Sequence, residues 1–201
     1  MPETVRPGQV DWTGDNPFVY LKTDPEGDWS SLSLFFRITA SIHGRGHLIL
    51  VVENPYGDSD DTSVRVGFTD NAPLARFLID DFASRFALFR PSKIMGDIEL
   101  VDGAEFLQEV DGDSSWVEGC RAGDRSAELR WENPGQAFAV DQPPHESGTG
   151  RHEMFSVFRP AASASVTVDG QRLPGTTVER AFFGGIAQSA ALALSETWVR
   201  E

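Results

Sequence analysis

Apolar and polar residues alternate over much of the chain, most regularly across residues 31–42. A period of two places successive side chains on opposite faces of an extended backbone, so this segment is predicted to be a long strand with one buried face. A short link at residues 44–46 leads into a second apolar run at residues 47–53. The pattern predicts a β-hairpin with a three-residue loop.

One segment, residues 71–89, has a different period. Its apolar residues recur at spacings of three and four, behind a capping candidate at Asn71 and a proline at position 73. These features are typical of an amphipathic α-helix, and Pro91 is expected to end it because the residue before a proline disfavours the helical conformation. The apolar positions of this helix are Leu74, Phe77, Leu78, Phe82, Phe86 and Phe89.

The remainder of the chain again consists of short alternating runs separated by Gly, Asp and Pro. Together these runs predict about ten strands and one helix, which is the pattern of an all-β, mainly antiparallel protein. The chain is expected to form a single globular domain over residues 1–201. The additional predicted strands are 63–68, 97–101, 104–110, 115–121, 126–131, 151–158, 163–169 and 189–199.

The long strands and hairpin-like connections favour a closed or nearly closed barrel, since closure removes exposed sheet edges. This layout is similar in outline to lipocalin-like barrels, and a β-sandwich is the alternative. In a barrel of this size the inward side chains either fill the interior or line one cavity for a small ligand.

Charge and cysteine content narrow the possible partners and compartment. Acidic residues outnumber basic ones by 31 to 17, for a net charge of −14, which disfavours nucleic acid and anionic membranes as partners. Cys120 is the only cysteine, so the chain can form neither an internal disulfide nor a cysteine-based zinc site. Residues 1–14 lack the apolar core of a secretory signal, and a cytoplasmic protein is predicted. Only Lys22 and Lys93 are lysine, which favours a GC-rich bacterial source.

Two acid–base candidates lie on predicted strands. His152 shares an alternating face with Met154, and apolar neighbours can move a histidine pKa into the range useful for catalysis. Glu196 lies between Leu194 and Trp198 on the apolar face of the last strand, where an unpaired carboxylate would cost several kcal/mol. Glu196 is therefore a candidate catalytic acid, with Met154 and Trp198 as ligand contacts. The alternatives are a hydrogen-bonded core histidine and a carboxylate at the open end of its strand.

Charged residues beside apolar ones suggest further ligand contacts. Phe35, Arg37 and Thr39 alternate on the more polar face of the strand at residues 31–42, as expected for a cavity wall or for an outer face covered by the helix. Arg85 falls within the apolar arc of the predicted helix, four residues after Asp81. It would anchor a carboxylate ligand or pair with Asp81.

The histidines at the hairpin loop are weak metal candidates. His43 and His47 flank the loop and would need a third donor, such as His152 or a carboxylate, to hold zinc or iron. The alternative is that both are surface residues beside a tight turn. The sequence has no dinucleotide or phosphate-loop fingerprint, and no cofactor is predicted.

These observations predict a cytoplasmic β-barrel protein that binds a small, largely apolar molecule in an internal cavity. Acid–base chemistry on that molecule without a cofactor is compatible with His152 and Glu196. One alternative is a non-enzymatic β-sandwich that docks a protein partner, and another is a metalloenzyme built on His43 and His47. The pattern leaves the oligomeric state open.

Overall fold

A computed structural model describes residues 8–58 and 62–200, which form an all-β fold with one α-helix. The helix is α1 (Ala72–Asp81), and short 3-10 turns lie at Ala83–Arg85 and Met95–Asp97. The predicted all-β class is confirmed. The strands are β1 (Gln9–Asp15), β2 (Phe18–Leu21), β3 (Ser31–Ser41), β4 (Gly46–Glu53), β5 (Arg65–Thr69), β6 (Glu99–Asp102), β7 (Glu105–Asp111), β8 (Ser115–Ala122), β9 (Arg125–Pro134), β10 (Phe138–Gln142), β11 (His152–Val168), β12 (Gln171–Arg172), β13 (Glu179–Phe182), β14 (Gly185–Gln188) and β15 (Ala190–Arg200).

A single sheet of 13 strands dominates the fold, in the order β6-β5-β4-β3-β1-β15-β11-β9-β8-β7, with β2, β10 and β12 attached to this path. Neighbouring strands are antiparallel apart from β5 and β6, which are parallel. Two parallel strands need a crossover connection, and α1 lies in the one that joins β5 to β6. The crossover therefore places the helix over one face of the sheet.

The longest strand, β11, joins the two halves of the sheet. Its first part pairs with β15 up to Pro160, and its second part pairs with β9 from Ala161 onward. The two strands predicted at residues 151–158 and 163–169 are thus one strand of 17 residues. Proline lacks a backbone N–H, so Pro160 suits the point where the strand changes partner.

The sheet folds over on itself and buries two separate apolar clusters. The inner cluster lies between its two halves and includes Phe35, Phe68 and Trp131, all fully buried. The Trp131 indole Nε1 donates a 3.0 Å hydrogen bond to the Phe18 carbonyl, which ties the halves together. The outer cluster packs on the other face, where Leu78 of α1 meets the sheet. Closure into a lipocalin-like barrel stays a prediction, because no pairing joins the fully described end strands β6 and β7.

The helix is shorter than the pattern at residues 71–89 predicts. Asn71 caps α1 through a hydrogen bond from Leu74 N to Asn71 Oδ1, as expected, but the helix ends at Asp81. The Ser84 hydroxyl donates to the Asp80 carbonyl at 2.6 Å, and such local bonds compete with helical ones. The apolar spacing of three and four residues continues beyond Asp81 because Phe82 and Phe89 also bury their rings in the outer cluster.

No helix in the described part of the chain is long and apolar enough to cross a membrane.

Candidate functional site

An apolar pocket of about 190 Å³ opens on the face of the sheet that carries the outer cluster. We call it the aromatic pocket. The sheet forms one side of it, and residues 86–88 and the hairpin of β13 and β14 form the other. Asn16, Gln142, Arg180 and Glu196 supply polar groups. The apolar lining includes Phe18, Tyr20, Leu34, Phe86, Leu88, Met154, Phe158, Phe182, Phe183 and Trp198.

The hairpin of β13 and β14 covers part of this pocket with two adjacent phenylalanines. It forms its own two-stranded sheet, with Phe183 and Gly184 at positive φ in the turn. The Phe182 ring packs against Phe158 at a centroid distance of 5.3 Å and against Phe18 at 5.9 Å. Phe182 and Phe183 were not predicted as site residues, although a pair of phenylalanines followed by two glycines is a turn signal.

A β-bulge places Glu196 in the pocket. Ser195 has a φ of 54°, and the register between β11 and β15 shifts at this point. A bulge adds one residue to a strand, so the side chains that follow it change faces. Leu194 therefore packs against the inner cluster, while Glu196 lines the pocket on the outer face. The prediction that both share one face was wrong for this reason.

Burial strongly affects the Glu196 carboxyl, whose side chain is only 3 % exposed. Desolvation disfavours the ionised form and raises its pKa to about 7, and the charge of Asp15 acts in the same direction. A 2.9 Å hydrogen bond from Trp198 Nε1 to Oε2 stabilises the carboxylate and opposes part of the shift. The structure thus brings together three residues singled out from the sequence, Met154, Glu196 and Trp198.

Asn16 adds a polar group that sequence analysis did not find. It lies between β1 and β2, where its backbone N–H donates to the Ala193 carbonyl at 2.8 Å. The side chain is 6 % exposed and lines the pocket, and its Oδ1 has no hydrogen-bond partner among the described residues. The only signal in the sequence was the Asn-Pro pair, which marks a turn and not a site.

His152 lies behind the pocket in a buried chain of hydrogen bonds. Its Nε2 lies 2.8 Å from Asp11 Oδ2, and its Nδ1 lies 2.8 Å from Thr149 Oγ1. Burial lowers the pKa of His152, while Asp11 opposes the shift. The Trp198 ring, which lines the pocket, is 6.0 Å from the imidazole. This environment matches the alternative of a hydrogen-bonded core histidine.

A second bulge supplies the partner of His152. The register between β1 and β15 shifts between Val10 and Trp12, which leaves Asp11 as the extra residue. Its carboxylate is 1 % exposed and also accepts a 2.9 Å hydrogen bond from Arg200. A bulge is not visible in a hydrophobic pattern, so Asp11 was not predicted.

The ligand contacts predicted from the sequence do not all line one cavity. Met154, Glu196 and Trp198 line the aromatic pocket, but three others, Phe35, Arg37 and Thr39, lie elsewhere. Phe35 belongs to the inner cluster. Arg37 and Thr39 line a different, open groove of about 550 Å³, which also includes His47.

Arg37 is held by carboxylates of the protein itself. Its guanidinium donates to Glu118 Oε2 at 2.7 Å and to Asp15 Oδ2 at 3.3 Å. Glu118 is almost fully buried, and this burial raises the pKa of its carboxyl. Hydrogen bonds from Trp116 and Gln108 satisfy its other oxygen. These contacts satisfy the Arg37 guanidinium within the protein, and its role as a ligand contact stays a prediction.

Arg85 lies outside the aromatic pocket as the structure outlines it. The side chain is 42 % exposed and lies 3.8 Å from Asp81, whose closer partner is Arg151 at 2.9 Å. Because the helix ends at Asp81, Arg85 is not on the packed helical face that its spacing predicts. The structure shows the expected pair with Asp81, and a ligand contact of Arg85 stays a prediction.

The hairpin histidines contact different neighbours. His47 Nδ1 lies 2.7 Å from Asp70 Oδ2, and the His43 ring lies 4.8 Å from Phe77. Across residues 8–58 and 62–200 no group of three or more His, Cys, Asp and Glu side chains could hold a metal ion.

Comparison of the chain with protein-family models, with curated proteins and with solved structures finds no match.

Proposed function

We propose that this protein binds a small, largely apolar molecule in the aromatic pocket. The observation that carries the proposal is the composition of the pocket, in which aromatic walls surround a few polar groups. Ligand sites commonly combine apolar walls with a few polar groups that orient the ligand. A cavity of roughly 150 Å³ can hold benzene, so about 190 Å³ suits a molecule with one aromatic ring.

The proposal differs in location from the expectation based on sequence. The predicted cavity was inside the curl of the sheet, where the inner cluster contains fully buried side chains such as Phe35 and Trp131. The aromatic pocket lies on the opposite face, beneath residues 86–88 and the hairpin of β13 and β14. Binding there does not require a closed barrel. Cytoplasmic location stays a prediction.

The experiment is a calorimetric titration with p-xylene and p-cresol, which match the pocket in size. We expect saturable binding to the unaltered protein. Leu88 lines the pocket from a half-buried position, so the larger side chain of Leu88→Trp should take up pocket volume and weaken binding at least tenfold. Leu107→Trp is the control, because Leu107 is 48 % exposed on β7 and lies outside the pocket lining. Absence of saturable binding by both compounds would contradict the proposal.

A specific observation also favours acid–base chemistry as a second candidate function. The Glu196 carboxyl lines the pocket with a pKa of about 7, close to the value at which a group exchanges protons efficiently near neutral pH. Cyclohexanone has one six-membered ring, a size compatible with a volume of about 190 Å³, and it has α-hydrogens that a carboxylate can remove. We expect the protein to accelerate exchange of these hydrogens in D₂O, measured by NMR, and Glu196→Gln to abolish the acceleration. Equal rates in both proteins would exclude this role for Glu196.

A further inference from the structure

We infer that the aromatic pocket selects neutral molecules with a hydroxyl group, such as phenols and small aromatic alcohols, and that Asn16 Oδ1 accepts the hydrogen bond of that hydroxyl. This inference rests on the proposed function and adds the chemical class of the ligand.

The unpartnered oxygen of Asn16 is the first argument. A buried acceptor without a donor costs roughly 1–3 kcal/mol, so native proteins rarely retain one without a reason. Asn16 Oδ1 is such an atom among the described residues, and its side chain lines the pocket. A hydroxyl donor on a ligand would satisfy it.

The orientation of the Asn16 amide follows from its neighbour. A side-chain hydrogen bond from Asn16 stabilises the Glu196 carboxylate, and only the amide NH₂ group can donate it. The amide nitrogen therefore faces Glu196, and the oxygen is left for a ligand. Trp198 donates to Glu196 Oε2, and the side chains of Asn16 and Ser156 also stabilise the carboxylate, so Asn16 Oδ1 is the acceptor left for a ligand beside Glu196.

The charged groups around the pocket argue against ionic ligands. A carboxylate ligand at this end of the pocket would meet the Asn16 oxygen and Glu196, with Asp15 close enough to affect the Glu196 charge, although Arg180 in the same lining would attract it. A cationic amine would be repelled by Arg180 and would compete with it for the Tyr20 ring, since the Arg180 guanidinium already lies 5.8 Å from the centre of that ring. Tyr20 itself is neutral, because burial raises the pKa of its hydroxyl. A neutral hydroxyl avoids both conflicts.

The test is a calorimetric titration with compounds of similar size that differ in one polar group. p-Cresol donates a hydrogen bond, 4-methylanisole can only accept one, and p-xylene does neither. One satisfied hydrogen bond corresponds to about a tenfold gain in affinity. We expect p-cresol to bind about tenfold more tightly than the other two, and benzyl alcohol to bind more tightly than benzylamine.

Two variants assign the preference to Asn16. Asn16→Ala should remove most of the advantage of p-cresol over p-xylene. Phe183→Ala removes part of the apolar wall and should weaken both compounds equally, which leaves their ratio unchanged. If Asn16→Ala does not fold, the compound series on the unaltered protein still decides the question.

The outcomes distinguish this inference from the proposed function. Equal affinities for p-cresol, 4-methylanisole and p-xylene would overturn the hydroxyl preference and leave binding in the pocket intact. Tighter binding of 4-methylanisole than p-cresol, or of benzylamine than benzyl alcohol, would also overturn it. If none of the compounds binds, both the inference and the proposed function fail.

Discussion

Trp198 Nε1 donates a 2.9 Å hydrogen bond to Glu196 Oε2, two positions earlier on the same strand. Both side chains lie on the outer face because the bulge at Ser195 comes before them. The indole therefore fixes the carboxyl in the wall of the pocket. It also satisfies one of the two carboxyl oxygens, but burial still dominates and keeps the pKa raised.

The first prediction concerns the pH dependence of stability. Folding raises the Glu196 pKa from 4.5 to about 7, so the folded protein retains a proton that the unfolded chain releases between these values. Stability should therefore fall by about 3 kcal/mol as the pH rises through this window. Glu196→Gln does not ionise and should lack this loss. The measurement is urea unfolding at pH 4.5, 6 and 8, with Glu109→Gln as an exposed control.

Parallel stability profiles for Glu196→Gln and the unaltered protein would show that the raised pKa is absent. Asp15, Arg180 and Tyr20 lie near the carboxyl or line the same pocket, and all three remain in the variant. The difference between the two profiles therefore reports on Glu196.

The second prediction compares two Arg–Asp pairs of equal length and different burial. Arg200 pairs with the buried Asp11 and Arg159 pairs with the exposed Asp113, both at 2.9 Å. Asp11→Asn should cost about 2–3 kcal/mol, because it also removes the charge facing His152. Asp113→Asn should cost less than about 1 kcal/mol. Urea unfolding measures both, and similar losses would contradict the assigned role of burial.

The third prediction tests the bulge at Ser195. Its φ of 54° lies in a region that glycine adopts freely and β-branched residues strongly disfavour. Ser195→Gly should retain or slightly raise stability, whereas Ser195→Val should lower it by about 1–2 kcal/mol. The side chain is exposed, so packing contributes little. A thermal unfolding series checks this, and equal stability of the two variants would count against a strained backbone.

The fourth prediction concerns the hairpin above the pocket. Phe183 lines the pocket and is 40 % exposed, so Phe183→Ala should weaken p-xylene binding about tenfold with little change in stability. Ile186 lies on the same hairpin, is 76 % exposed and lies outside the pocket lining, which makes Ile186→Ala the matched control. Isothermal titration provides the affinities. Equal weakening by both substitutions would indicate a general effect of the hairpin.

The alternation of apolar and polar residues predicted the fold class and most of the main strands, because a strand with one buried face has apolar residues at every second position. The hairpin of β3 and β4 was found this way and is confirmed, although its loop spans residues 42–45 and not the three residues predicted. The pattern could not show that residues 151–158 and 163–169 continue through Pro160 as one strand. It also overextended the helix, since Phe82 and Phe89 maintain helical spacing in non-helical turns.

The candidate site was harder to predict because its geometry depends on irregular backbone. Glu196 was singled out because burying an unpaired carboxylate is costly, and Met154 and Trp198 because they share predicted strand faces with His152 and Glu196. The structure brings Met154, Glu196 and Trp198 together. Asn16 and Asp11 were missed, since a turn and a bulge set their positions. The face occupied by Phe35 and Arg37 was ambiguous from alternation alone. It required knowledge of which side of the sheet the helix covers.

β11 has a consequence for how the protein unfolds. It contributes Met154 and Phe158 to the outer cluster and Val166 to the inner one. Disorder in either cluster therefore also disturbs the strand that supplies side chains to the other cluster. Heat or denaturant should unfold both clusters in one cooperative step. If the chain is divided within β11, neither fragment should retain a complete apolar cluster.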